Sequence, residues 1–122
     1  LCDIRSMAEK LSEKVYELDS AKRRYLHLAA VFACNFSNHL YALAAEILHE
    51  QGLSFDLLLP LIDETAGKVH EKSPKEAQTG PALRMDRNII DKHLAILQSE
   101  PKRAELYSLL SESIFEHNKK YE

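Results

Sequence analysis

A chain of 122 residues, 45% hydrophobic and 29% charged, is one domain's worth of protein and too apolar to be a disordered tail. Its net charge of −3 argues against nucleic acid or an anionic membrane surface as the main partner. Three glycines, four prolines and no tryptophan favour helices joined by few tight turns, and so an all-α fold.

The first residues, DIRSMAEKLSEK, place Ile4, Met7, Ala8 and Leu11 at helical spacing and predict a short amphipathic helix. KVYEL then alternates Val15 and Glu17 against Tyr16 and Leu18, the pattern of a strand. No second strand pattern follows, and one strand cannot make a sheet. Residues 1–18 therefore read as the closing helix and strand of a preceding α/β domain. The opening on Leu1 fits a piece of a longer protein.

Asp19 or Ser20 offers an N-cap, and a helical pattern runs from there to Gln51, with Gly52 suited to the C′ position. Such a helix would be about 48 Å long, whereas a compact globule of this size is only about 35 Å across. Its middle is apolar on all sides, so a symmetric homodimer that covers it is the economical arrangement. The near-apolar run Tyr25 to Phe36 spans 12 residues, short of the roughly 20 that a membrane span needs.

Ser54 can cap a further helix that buries Leu58, Leu61, Ile62, Thr65, Ala66 and Val69, with Pro60 bending it or delaying its regular start. Ser73 and Pro74 can open one more turn. TGPALR (79–84) reads as an irregular loop. Asp86 can cap a helix carrying Ile89, Ile90, His93, Leu94 and Leu97. Ser99 with Pro101 begins the last helix, whose Leu106, Tyr107, Leu110 and Ile114 face inward.

Chemistry concentrates in HLAAVFACNFSNH (27–39). On an ideal helix His27, Cys34, Asn35 and Asn38 fall within an arc of roughly 100°, with His39 about 120° from His27. An unpaired buried amide costs about 1–3 kcal/mol, so a polar stripe on an apolar rod needs a polar neighbour. That neighbour is either a ligand or a second copy of the helix, where asparagines would fix register.

The loop TGPALRMD is the other candidate. Gly80 removes bulk where a ligand could approach, Thr79 offers a hydroxyl, and Arg84 offers a planar fork for a carboxylate or phosphate. The plain alternative is a rigid turn with a surface arginine. Glu46 and His49 form one E-x-x-H pair, but no second pair completes a di-iron set, so no metal is expected. Cys2 and Cys34 have no metal spacing and read as reduced thiols. The glycines stand singly at 52, 67 and 80, which gives no glycine-rich dinucleotide loop.

HLAAVFACNFSNHLYAL, AQTGPALRMD and DKHLAIL, in that order and spacing, resemble a family assigned as NADP-dependent oxidoreductases of undefined substrate. In that family a Rossmann-like domain precedes a helical domain of unknown function. The helical part is similar to the C-terminal domains of 6-phosphogluconate dehydrogenase, ketopantoate reductase and pyrroline-5-carboxylate reductase. The resemblance covers about residues 14 to 116 and implies that residues 19–122 form a bundle of that type around one long central helix. It implies a homodimer that acts on a small molecule with an acidic end, while the reduced thiols point to the cytoplasm and the net charge to neither nucleic acid nor membrane as partner. NADP would be held mainly by the preceding domain, leaving the isolated chain inactive. His27 would then serve as proton donor to the oxygen or nitrogen that receives hydride. Asn35 and Asn38 would orient the substrate, and Thr79 and Arg84 would anchor its acidic end. The rival reading is a purely structural dimerisation module without catalytic residues.

Overall fold

The computed structural model describes residues 19–120. The helix and strand expected over 1–18 lie outside the described residues. The chain divides into two compact units, Leu1–Pro60 and Leu61–Glu122. Among the described residues there is no strand, and the fold is all-α.

The first unit is dominated by α1, Ser20–Glu50. Asp19 starts it: its extended backbone leaves the helix, and its carboxylate accepts from the Lys22 amide at 2.8 Å, satisfying one orphan donor. Gly52 stops it at φ +71°. The Gly52 amide donates to the His49 carbonyl and the Leu53 amide to the Leu48 carbonyl, the paired bonds of a Schellman ending.

One feature of α1 has no counterpart in the sequence pattern. Val31–Phe36 is wound as a π-helix. The wider turn holds an extra residue, so everything beyond it is set back by about 100°. Asn38 therefore moves off the line through His27, while His39 comes to within about 20° of that line. Within the π segment the Phe32 and Phe36 rings meet edge to face at 5.0 Å.

No residue from 19 to 60 is buried. Tyr25, Leu28, Phe32, Phe36, Leu40, Tyr41 and Ile47 are all exposed, Phe32 to 62%. The helix also differs from the twelve-residue apolar run in one respect. Its 31 residues include an 18-residue stretch of mean hydropathy 1.2, so it is long and apolar enough to cross a membrane by length and composition alone. The reason is that uncharged Asn, Ser and His continue the run past Phe36 without adding formal charge.

After α1, Ser54 accepts from the Asp56 amide at 3.1 Å and opens a 3-10 turn, Phe55–Leu58. Regular helix begins only at α2, Leu59–Lys68, so Pro60 sits in its first turn, where its missing N–H leaves no partner wanting. The inward face expected here is not formed as drawn. Leu58 and Ile62 are half-buried, but Leu61, Thr65, Ala66 and Val69 are exposed. Thr65 instead donates its hydroxyl to the Leu61 carbonyl one turn back, a local bond that needs no burial.

In the second unit Ser73 caps the single turn α3, Pro74–Ala77. Its Oγ accepts from the Glu76 amide at 3.3 Å and donates to the Glu76 carboxylate at 3.1 Å. TGPALR is less irregular than its composition indicates, because Pro81–Arg84 forms a 3-10 turn. Gly80 enters it at φ +104°, ψ 170°, where a Cβ would be strained, and Pro81 supplies the φ of the first turn position.

The turn ends at Met85, whose φ of 49° is the one positive value at a non-glycine among the described residues. Met85 and Asp86 amides donate back to Ala82 and Pro81, so a methionine stands where such endings usually carry glycine. We expect Met85→Gly to be more stable than Met85→Ala by about 1 kcal/mol, since both lose the side chain and only glycine escapes the left-handed cost. Urea denaturation of the two variants measures the difference.

Asp86 caps α4, Arg87–Ile96, by accepting from the Ile89 amide at 3.4 Å. A short 3-10 turn, Leu97–Ser99, follows, and α5 runs from Pro101 to Lys120. Ser99 lies inside that turn rather than capping α5. The first helical bond instead reaches the Glu100 carbonyl from the Ala104 amide, because Pro101 keeps the preceding residue out of helical backbone, at φ −127° and ψ 76°. The core of this unit gathers where the 81–84 turn meets α4 and α5. Ile90 is 2% exposed, Ala82 6% and Ser111 9%.

Candidate functional site

The candidate residues fall into both units. In the first, His27, Asn35 and Asn38 are exposed on α1 and Cys34 is a half-buried thiol. With the π turn between them, His27 and Asn38 no longer lie on one straight stripe, and His39 takes a place beside the His27 face. These groups are uncharged hydrogen-bonding heads among exposed phenylalanines and leucines, a surface suited to cover by something both apolar and polar.

In the second unit Thr79 and Arg84 stand at opposite ends of one short segment, and the structure gives them different surroundings. Thr79, Gly80, Pro81 and Ala82 form one wall of a cleft of about 220 Å³. The other wall is a face of α5: Tyr107, Leu110, Ser111 and Ile114. Arg84 is exposed and is not among the residues that line it.

Tyr107 and Ser111 were not singled out by residue type, yet they carry two of the three hydroxyls on this cleft. Tyr107 is held by a contact that joins α4 to α5. Its phenol oxygen lies 2.7 Å from His93 Nδ1, and the two rings meet edge to face at 5.6 Å and 84°. The bond runs from the phenol to a bare Nδ1, or from Nδ1–H to the phenol oxygen, according to the imidazole tautomer. Spacing of α5 could have found both residues, since 107, 111 and 114 share one helical face. Only the tertiary fold brings His93 to them.

Burial pushes the Tyr107 phenol above its ordinary value of 10.0. The folded state thus favours the protonated form. Its stabilising contribution is complete below the unfolded value of 10.0 and is lost as pH climbs through the raised folded value. Urea midpoints measured across alkaline pH should fall more steeply for the natural chain than for Tyr107→Phe.

Among the described residues no three His, Cys, Asp or Glu side chains come together to hold a metal ion. Nor do the residues present fit a dinucleotide cradle. Gly52 ends α1, Gly67 lies within α2 and Gly80 opens the 3-10 turn, so no run of backbone amides is cleared for phosphates.

A solved structure similar to this fold is the crystal structure of a "putative NADP oxidoreductase" from Bacteroides fragilis. It matches with TM-score 0.80 and 62% identity over 81% of this chain and 38% of that one. The chain thus spans less than two fifths of that protein's length. A search of curated proteins gives no match. The family described as a domain of unknown function, DUF2520, matches residues 3–114. With nearly the whole sequence inside that match, the chain belongs to the DUF2520 family.

Proposed function

We propose that this chain is the helical C-terminal domain of an NADP-dependent oxidoreductase, of the type found in 6-phosphogluconate dehydrogenase and its relatives. In this reading it supplies a dimer interface and part of a substrate cleft, and residues 1–18 close a preceding Rossmann-like domain. The observation that carries the reading is the 62% identity, over 81% of the chain, to a protein described as an NADP oxidoreductase. The chain's own residues support the division of labour. They offer no dinucleotide cradle, so NADP is held mainly by the preceding domain and the isolated chain is inactive.

The exposed apolar residues of α1 support the homodimer, since a monomer in water would leave that surface uncovered. The same protein fits the cytoplasm, where Cys34 stays reduced and α1 is covered by protein rather than lipid. Bound in the cofactor domain, NADP would supply the reducing equivalents. His27 holds or gives a proton at the substrate's reacting heteroatom, and Asn35 and Asn38 orient its polar group. Thr79 and Arg84 take up the substrate's polar and acidic ends.

One observation favours a second reading. His27, Asn35 and Asn38 sit on an exposed helix among large apolar side chains, which is also how a register-setting dimer seam is built. His27→Ala in the complete natural protein separates the two. Turnover of NADPH reduced by about 10²-fold or more with the dimer intact supports the reductase site. Loss of the dimer supports the seam.

A further inference from the structure

The cleft between the 81–84 turn and α5 has a lining with a definite chemical bias. Three hydroxyl-bearing side chains, Thr79, Tyr107 and Ser111, are set among Pro81, Ala82, Leu110 and Ile114, with no charged residue in the wall. Arg84, the obvious anion partner in the sequence, lies outside it. A site of this kind suits an apolar body carrying one neutral polar group, because an anion would lose its hydration and meet no cation.

Hydroxyls have a further property that cations lack: one and the same oxygen can donate or accept. The same side chain can donate to a carbonyl oxygen and, after rotation, accept from an alcohol. The His93 contact extends this to Tyr107. When Nδ1–H donates to the phenol oxygen, the phenol proton is available to an incoming carbonyl. When the phenol donates to Nδ1, its oxygen is available to accept from an alcohol. Gly80 completes the setting, since its φ of +104° holds the backbone beside Thr79 in a conformation that a side chain would strain.

We propose that this cleft binds the neutral carbonyl or alcohol end of a small, largely apolar molecule, with Thr79, Tyr107 and Ser111 as its hydrogen-bonding residues. The inference goes beyond the reductase reading and leaves the reacting heteroatom with His27, as that reading has it. Binding itself does not require the cofactor. Any acidic end of the substrate is then left to Arg84, outside the cleft.

The test uses the complete natural protein without NADPH, with methyl-labelled Ala, Leu and Ile, and three probes: cyclohexanone, cyclohexanol and cyclohexanecarboxylate. Cyclohexanone and cyclohexanol are expected to shift the methyl signals of Ala82, Leu110 and Ile114 saturably, and cyclohexanecarboxylate to bind at least about tenfold more weakly. Thr79→Val and Ser111→Ala should each weaken cyclohexanone about fivefold, with their unliganded methyl spectra reporting that the fold is retained. Absence of shifts in the natural protein, cyclohexanone affinity unchanged by both substitutions, or carboxylate binding as tight as ketone binding would each overturn the proposal. A protein that binds cyclohexanone but not NADPH would sink the reductase reading and leave this site standing. One that binds NADPH but none of the probes would do the reverse.

Discussion

Replacing Ile90 by alanine is expected to destabilise the second unit by about 2–5 kcal/mol, a fall of roughly 10 °C or more in Tm. The size follows from how little else is buried there. Ile90 at 2% and Ala82 at 6% exposure are the buried hydrophobics among the described residues, so the isoleucine carries an unusual share of the core. Its side chain lies on α4, next to the turn that Asp86 and Met85 terminate, and alanine would leave a cavity that two capped, short elements have little freedom to close. The matched control is Ile96→Ala on the same helix. Ile96 is 74% exposed, and its loss should change stability by no more than about 0.5 kcal/mol. Thermal unfolding of the two variants side by side checks the contrast.

Placing a carboxylate on α1 should have the second large effect, on assembly rather than on folding. Phe32 lies in the π segment, is 62% exposed, and stacks only against Phe36 among the aromatic contacts of the described residues. Phe32→Asp therefore removes little packing within the chain, and helix content by circular dichroism should stay close to that of the natural protein. Across a dimer seam the same change would bury a charge against apolar partners. A centrally placed aromatic is worth at least about 2 kcal/mol in such an interface, so the dimer Kd should weaken by roughly 30-fold or more. Sedimentation equilibrium reads this directly. An unchanged Kd would show that this face of α1 does not meet its copy.

Much of the helical frame was legible in the sequence because its signals are local. Asp19, Ser73 and Asp86 cap the helices that follow them, and Gly52 ends α1, because each acts within three or four residues of its own position. Where competing local signals met, the reading slipped by a residue or an element. The carbonyl that accepts the first bond of α5 is that of Glu100 rather than Ser99, and the glycine and proline of TGPALR open an ordered turn rather than a loop.

The π turn at Val31–Phe36 leaves no mark in an apolar run, and it rearranges the polar face by about 100° although no residue changes. A left-handed methionine at 85 is equally silent, since its identity argues against the conformation it adopts. Of the cleft lining, residues 79–82 lie in a stretch that stood out by its composition, while Arg84 of the same stretch lies outside it. Tyr107 was hidden because it read as core, and Ser111 because a single serine on a helix gives no signal of its own. Their grouping with Thr79 and His93 exists only once α4 and α5 are side by side.

The most direct test of the account is an NADPH titration, followed by cofactor fluorescence, on the complete natural protein and on this chain alone. Saturable binding by the complete protein and none by the chain is the expected result. Binding of comparable strength by the chain alone, or no binding by the complete protein, would contradict it.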